Sequence, residues 1–213
     1  MATRGRVQAI ITATVIVWAA LLFLQGVDLR LSYLRPYSLA VGIVLILSYA
    51  FDKWLWRFPP FPRLLGRPVL AGTWKGELRS NWTDQQTGEA AAPILAFLLI
   101  SQTYAAISIR LFTAKSFSKS ETAQINTSPD GVPEIIMTYQ NIPLLHLREQ
   151  SPLHYGAMRL QMHGRPTTRL EGAYWTDRDT KGEVVFAAHA SKAYSDFVGA
   201  SQAMDGPQSA DAT

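Results

Sequence analysis

The chain carries hydroxyl, amide, aromatic and guanidinium groups of the types that recognise bases and phosphates. They are Gln102-Thr103, Thr113 with Ser116, Ser118 and Ser120, then Tyr139, and the run Tyr174-Trp175-Thr176-Asp177-Arg178. Aromatic rings stack on bases, and a guanidinium binds phosphate oxygens through charge-assisted hydrogen bonds. The same side chains could equally line the ends of strands without binding anything. The set therefore defines a candidate site.

Patterns that would indicate catalysis or metal binding do not occur in the sequence. It has no phosphate-binding glycine motif, no Gly-x-Ser-x-Gly motif and no cysteine. The histidines lack the spacing of metal ligands; they are His146, His154, His163 and His189. Asp177 and Asp179 fit a charged turn better than an acid–base pair. We predict no enzyme activity, no catalytic residue, no metal and no cofactor.

The basic excess lies in one part of the chain. The 213 residues carry a net charge of +4, with 48% hydrophobic and 17% charged residues. Residues 1–63 hold seven basic and two acidic groups, and the rest holds thirteen basic and fourteen acidic groups. A domain close to neutral lacks the broad basic face that neutralises a nucleic-acid backbone, so we expect no DNA or RNA partner.

Two apolar runs in the first 57 residues predict membrane-spanning helices. Residues 7–27 are uncharged, and a second apolar run supports a helix over about 34–53. The first run is too long for a signal peptide, and another apolar run follows it at once. Arg and Lys flank both helices on the outer sides of the pair, which predicts that both ends lie in the cytoplasm. A Pro-rich stretch at 58–69 predicts a stiff, extended linker.

The region from 70 to 198 has the period-two alternation of half-buried strands. Eight strands are predicted to begin near residues 72, 93, 106, 118, 133, 154, 168 and 182. On the last strand the pattern places Val184, Phe186 and Ala188 on the inner face. The run from Pro93 predicts a strand buried on both sides. Short antiparallel strands joined by hairpins favour a small up-and-down barrel or a sandwich.

Two further predictions concern the outer surface and the end of the chain. The outward strand positions carry charged side chains, among them Lys75, Glu77 and Arg110. Lipid would penalise these charges, so an outer-membrane barrel is excluded. Residues 199–213 are small and polar and predict a disordered tail.

The chain resembles the two-transmembrane, β-strand-rich (SMODS-associating) effectors of bacterial anti-phage CBASS systems. The resemblance covers about residues 7–190. It rests on the two helices, the GTWKG strand, the ISQT run, Thr113 with Ser116 and Ser118, the Tyr139 strand, His154-Tyr155-Gly156 and GAYWTDRDTKG. It implies a membrane-anchored all-β protein of the bacterial inner membrane, with two N-terminal transmembrane helices and an eight-stranded, antiparallel, lipocalin-like β-barrel in the cytoplasm.

The resemblance also implies a function. A cyclic di- or oligonucleotide made by a partner nucleotidyltransferase would bind the barrel and drive self-association. The gathered helices would then disrupt the lipid bilayer, causing cell death or growth arrest. The alternative is a constitutive membrane-anchored barrel that binds a lipid or another apolar molecule.

The expected ligand contacts follow from side-chain chemistry. Arg110 and Arg178 would bind phosphates, and Tyr139 and Tyr174 would stack on bases. Hydrogen bonds would come from Gln102, Thr113, Ser116 and Ser118.

Overall fold

The computed structural model describes residues 31–83, 89, 91–127 and 131–205, together with residues 12, 15–16, 18–20 and 23–24. The chain divides into two compact units, residues 1–50 and residues 51–213.

The first unit is helical where it is described. The described positions within the predicted helix 7–27 are helical, and its other positions lie outside the described residues. The helix predicted at 34–53 is present as α1 (Leu31–Lys53). Within the described part of the chain, no helix has both the length and the apolar character needed to cross a membrane.

The segment predicted as an extended linker, residues 58–69, instead contains one short helix, so the prediction is wrong for that part. A 3-10 turn at Leu55–Arg57 precedes α2 (Phe61–Leu64), in which Pro60 is the N-cap and Pro62 lies in the first turn. The correction has a physical reason, because the fixed φ of proline suits the first turn of a helix as well as an extended chain. The fully buried Trp56 side chain lies 6.3 Å from the Tyr104 ring, between ring centroids.

The second unit is built on a closed barrel of eight antiparallel strands in sequence order. The strands are β1 (Gly72–Ser80), β2 (Ile94–Gln102), β3 (Ile107–Phe112), β4 (Ser116–Thr127), β5 (Pro133–Pro143), β6 (His154–His163), β7 (Arg169–Thr176) and β8 (Lys181–Ala190). The predicted barrel is confirmed, and each strand begins within two residues of its predicted start. β1 and β8 pair with each other and close the wall.

The barrel has two ends that differ in chemistry. Trp74 lies at the end where β1 begins, which we call the tryptophan end. Its side chain is fully buried, its indole N–H donates to the Leu70 carbonyl at 3.0 Å, and its ring centroid lies 4.3 Å from that of His189. The opposite end, near Tyr139 and Tyr174, we call the tyrosine end. Trp74 therefore closes the tryptophan end.

A β-bulge reverses the side-chain alternation near the end of β8. The β1–β8 register shifts between Lys75 and Gly76, which pair with Ala188 and Phe186. Val184 and Phe186 are buried as predicted, whereas Ala188 is exposed and the prediction for it is wrong. An extra residue in one strand moves the following side chains to the other face, so His189 lies on the same face as its partner Trp74, although the histidine remains exposed at the end of the barrel.

The predicted disordered tail is corrected for its first part by a helix, α3 (Phe197–Asp205). The Asp196 carboxylate caps it by accepting the Gly199 N–H at 2.7 Å. Its fully buried Ala200 packs with Phe97 and Leu99 on the outer face of β2. This helix explains why β2 is buried on both sides: it covers the outer face while the core covers the inner one. Residues 206–213 lie outside the described residues.

A charged residue at position 200 should detach α3 from the barrel. In Ala200→Glu, the carboxylate would have to enter an apolar contact, so we expect hydrogen exchange over 197–205 to accelerate about tenfold or more. Val198→Glu is the control, because Val198 is 61% exposed on the same helix. Equal exchange in the two variants would show that α3 is not held by this contact.

Candidate functional site

The β3–β4 hairpin brings Thr113 and Ser116 to the tyrosine end. The Thr113 N–H donates to the Ser116 carbonyl at 2.9 Å, and the Thr113 hydroxyl oxygen accepts the Ser116 N–H at 3.1 Å. A hydroxyl that accepts a nearby backbone N–H stabilises a tight turn. The Thr113 side chain thus shapes the hairpin that positions the serine hydroxyls.

Asn141 joins the two serine hydroxyls of β4. Its Nδ2 donates to Ser118 Oγ at 2.9 Å and to Ser116 Oγ at 3.2 Å. Ser118 is buried and pairs with Asn141 across the β4–β5 ladder. We call Thr113, Ser116, Ser118 and Asn141 the polar cluster. Asn141 was not predicted as a site residue, although it continues the inward alternation of Ile135, Met137 and Tyr139.

The two predicted tyrosines lie in the barrel wall, Tyr139 on β5 and Tyr174 on β7, and both belong to the hydrophobic core. Tyr139 is 4% exposed and Tyr174 is 8% exposed. Each pairs with a glycine on the next strand, Tyr139 with Gly156 and Tyr174 with Gly182. A Cβ added to Gly156 would lie 2.5 Å from the Tyr139 hydroxyl oxygen, and one added to Gly182 would lie 2.8 Å from Tyr174 Cε1. Glycine therefore makes the space that each ring occupies.

The Tyr139 phenol is held in its neutral form. Burial raises its pKa well above the ordinary value, and the nearby Tyr174 and Asp177 raise it further. A neutral phenol keeps its proton, so it can donate a hydrogen bond as well as stack. It does not repel an anionic ligand.

The turn between β7 and β8 places Arg178 at the rim of the tyrosine end. Asp177 fixes this turn to β6, because its N–H donates to the Tyr155 carbonyl at 3.0 Å and its Oδ2 accepts the Tyr155 N–H at 3.2 Å. Arg178 Nη1 donates to Ser151 Oγ at 3.0 Å, and the residue is exposed. Its guanidinium thus remains accessible to an anion at the rim.

Two predicted site residues are not brought to this end. Gln102 lies at the tryptophan end, where its Oε1 accepts the Leu70 N–H at 2.8 Å and its Nε2 donates to the Pro68 carbonyl at 2.9 Å. These bonds hold the segment that leads into β1. Arg110 lies on the exposed outer face of β3, opposite Leu99 and Lys119. Neither residue joins the polar cluster.

Apolar side chains fill the barrel interior between the two ends. The core includes Leu98, Ile109, Met137, Met158, Leu160 and Phe186, all 2% exposed or less. This packing restricts a polar ligand to the tyrosine end or to the outer surface. Among the described residues, no group of three or more side chains is arranged to hold a metal ion.

An open groove of about 1100 Å³ crosses the outer face of β1, β6, β7 and β8. Its lining carries basic and acidic groups in similar number, and several are paired. Arg169 Nη2 lies 2.6 Å from Glu171 Oε2, and Arg159 Nε lies 2.5 Å from Glu134 Oε2. Pairing with carboxylates reduces the positive charge and the number of N–H donors that these guanidinium groups have available for a phosphate. The tyrosine end is therefore the stronger candidate.

Comparison with known families agrees with a nucleotide site on the barrel. The family described as "Cap15, cyclic dinucleotide receptor domain" matches residues 65–187, which is more than half of the chain. A search of the curated proteins finds no match. The match begins just before β1 and ends within β8. The chain therefore belongs to the Cap15 cyclic dinucleotide receptor domain family, which makes it a cyclic-nucleotide-sensing CBASS effector.

Proposed function

We propose that the tyrosine end is the receptor site for a cyclic di- or oligonucleotide. The observation that carries the proposal is the polar cluster, which lies with Tyr139, Tyr174 and Arg178 at the one end of the barrel that Trp74 does not close. The tyrosine rings would stack on bases, the cluster would hydrogen-bond ribose or base edges, and Arg178 would bind a phosphate. The protein acts by binding rather than by catalysis.

The output of the receptor is proposed to be membrane disruption by a two-helix anchor, as in the SMODS-associating two-transmembrane effectors. α1 supports this proposal, because apolar side chains between residues 41 and 47 are exposed, for example Val44 at 60% and Ile46 at 69%. Apolar surface of this kind favours a lipid environment. The barrel would lie in the cytoplasm, where a partner nucleotidyltransferase supplies the ligand. Ligand that favours an assembled state would then shift the population towards it.

The apolar-carrier alternative has less support from the structure. A lipid-binding barrel needs an open apolar lumen, whereas here the interior is occupied by side chains. A lipid that co-purifies in equal proportion with the protein would favour the carrier.

The proposed receptor is tested with the full chain in dye-loaded liposomes and a panel of cyclic dinucleotides. We expect one of them to bind and to release the dye. Arg178→Ala should weaken its affinity about tenfold or more, since hydrogen bonds to charged groups contribute about 1.5–3 kcal/mol. Dye release should then require correspondingly more ligand.

The matched control is Arg165→Ala, because Arg165 is an exposed arginine in the turn between β6 and β7 at the tryptophan end. Equal affinity of the two variants would remove Arg178 from the site. Binding without dye release would contradict the membrane output but leave the receptor standing.

A further inference from the structure

β4 is much longer than the ladder that joins it to β3. It pairs with β5 along its whole length, from Ser116 to Thr127. Its pairing with β3 ends at Lys119, which lies opposite Arg110. Beyond that point the Ile109 N–H donates to the Ser120 hydroxyl at 3.0 Å, so a side chain bridges the strands where they separate. Among the described residues, nothing pairs with the β3 side of residues 121–127.

The open backbone groups on this edge can be assigned. Alternate residues of a strand direct their N–H and C=O groups to opposite neighbours. The Ser116 carbonyl accepts an N–H from the β3–β4 hairpin, and Ser116 shares the inward face with Ser118. Inward residues of β4 therefore face β3. Ala123 and Ile125, which pack against the core, direct their backbone groups to the open edge.

The open edge lacks the features that usually prevent strand addition. Exposed edges are commonly protected by Lys or Pro side chains or by being very short. Residues 121–127 read ETAQINT, with no Lys and no Pro, and a single charge at Glu121 beside the β4 bulge. Such an edge is suited to pairing with another extended strand.

We propose that the edge formed by residues 121–127 is a self-association surface, where β4 of a second copy pairs antiparallel across a two-fold axis. The proposal rests on the self-association in the proposed function and names its contact. The occupant is a second copy because the segment complements itself when Gln124 lies opposite Gln124 of that copy. Ala123 then faces Ile125 on the apolar side, Thr122 faces Asn126 on the polar side, and no like charges oppose each other.

The register makes a geometric prediction for a disulfide. Gln124 directs its backbone groups to β5, so its pair across the two-fold axis is not hydrogen-bonded, with Cα atoms about 4.5 Å apart. This distance lies within the range that a disulfide bridges. The chain has no cysteine, so a single introduced thiol can link only to its copy.

The test oxidises full-length Gln124→Cys in liposomes, with and without cyclic dinucleotide, over a range of protein densities. We expect disulfide-linked dimers to be the major species on a non-reducing gel when ligand is present. The matched control is Gln161→Cys, an exposed glutamine on β6, which is paired on both sides. It should remain monomeric. The inference is overturned if the two variants link equally, or if Gln124→Cys links under no condition.

A charge exchange at the same position gives a second readout for the edge. Gln124→Lys places like charges opposite each other, so self-association should weaken about two- to fivefold, and mixing with Gln124→Glu should restore it. If the mixture associates no more strongly than either variant alone, the proposed register is contradicted. Ligand binding is measured on the same samples. If Gln124→Cys links selectively but no cyclic dinucleotide binds, the edge proposal is supported and the receptor proposal is overturned. If a cyclic dinucleotide binds but Gln124→Cys does not link, the receptor proposal is supported and the edge proposal is overturned.

Discussion

Replacing Trp74 by alanine is expected to lower the free energy of unfolding by about 3–5 kcal/mol, the usual cost of removing a buried tryptophan. Trp74 is fully buried in the barrel core, and its indole N–H satisfies the Leu70 carbonyl. The variant loses apolar burial, leaves a cavity against His189 and leaves that carbonyl without its donor. Chemical denaturation of the full chain, followed by circular dichroism, measures the change.

Trp175→Ala is the matched control for the loss of one tryptophan. Trp175 lies on the outer face of β7 and is 51% exposed, so its removal should change stability far less. If both variants lost the same stability, Trp74 would not be closing the tryptophan end in the way that its contacts indicate.

Adding one methyl group at Gly156 is expected to disable the proposed site. The new Cβ would lie 2.5 Å from Tyr139 Cζ and 2.7 Å from the Trp175 carbonyl oxygen. The backbone oxygen has little freedom, so the Tyr139 ring must move, at a cost of about 1–3 kcal/mol in stability. Because the displaced ring can no longer stack on a base, affinity for the cyclic dinucleotide should fall about tenfold or more. Calorimetric titration and denaturation of Gly156→Ala measure the two effects.

Two comparisons separate this effect from a general response to alanine. Gly42→Ala is the control, because a Cβ there meets no atom within 4 Å. In a Tyr139→Leu background, Gly156→Ala should cost less stability, since the clashing ring is gone. Additive losses in the double variant would mean that the glycine is needed for some reason other than the tyrosine ring.

Most of the barrel could be predicted because its determinants are local. The alternation of Ile135, Met137 and Tyr139 marks an inner face within one strand, and five of the seven connections between consecutive strands have five residues or fewer. The error at Ala188 has a different origin. The bulge depends on how β8 pairs with β1, which is remote in sequence, and no pattern within β8 itself reveals that shift.

The sequence does not predict the helix α3, because its local signal is weak. Residues 197–205 include glycine and small polar residues, which favour helix poorly by themselves. The helix is stabilised by packing of Phe197 and Ala200 against the outer face of β2. The sequence did contain one half of this contact, since the apolar run beginning at Pro93 predicted a strand buried on both sides.

Only part of the candidate site can be predicted, because residue type is visible in the sequence whereas strand order and register are not. Residue types identified Ser118, Tyr139 and Arg178, which the fold brings to one end. Gln102 shares only its polar residue type with these side chains. In an up-and-down barrel the end of β2 lies beside the start of β1, which places Gln102 at the opposite end of the barrel from Ser118. Identifying Asn141 as part of the cluster requires the register of β4 against β5, and residue types alone do not give that register.

The pairing of β1 with β8 has a consequence for synthesis of the protein. The other neighbours in the wall are also neighbours in sequence, whereas Thr73 and its partner Ala190 are about 120 residues apart, a separation whose loop closure costs about 4 kcal/mol. A chain emerging from the ribosome can add hairpins one after another, but it cannot close the wall until β8 has left the exit tunnel. A nascent chain that stalls before Lys181 is therefore an open sheet, with one edge of β1 still available to other polypeptides.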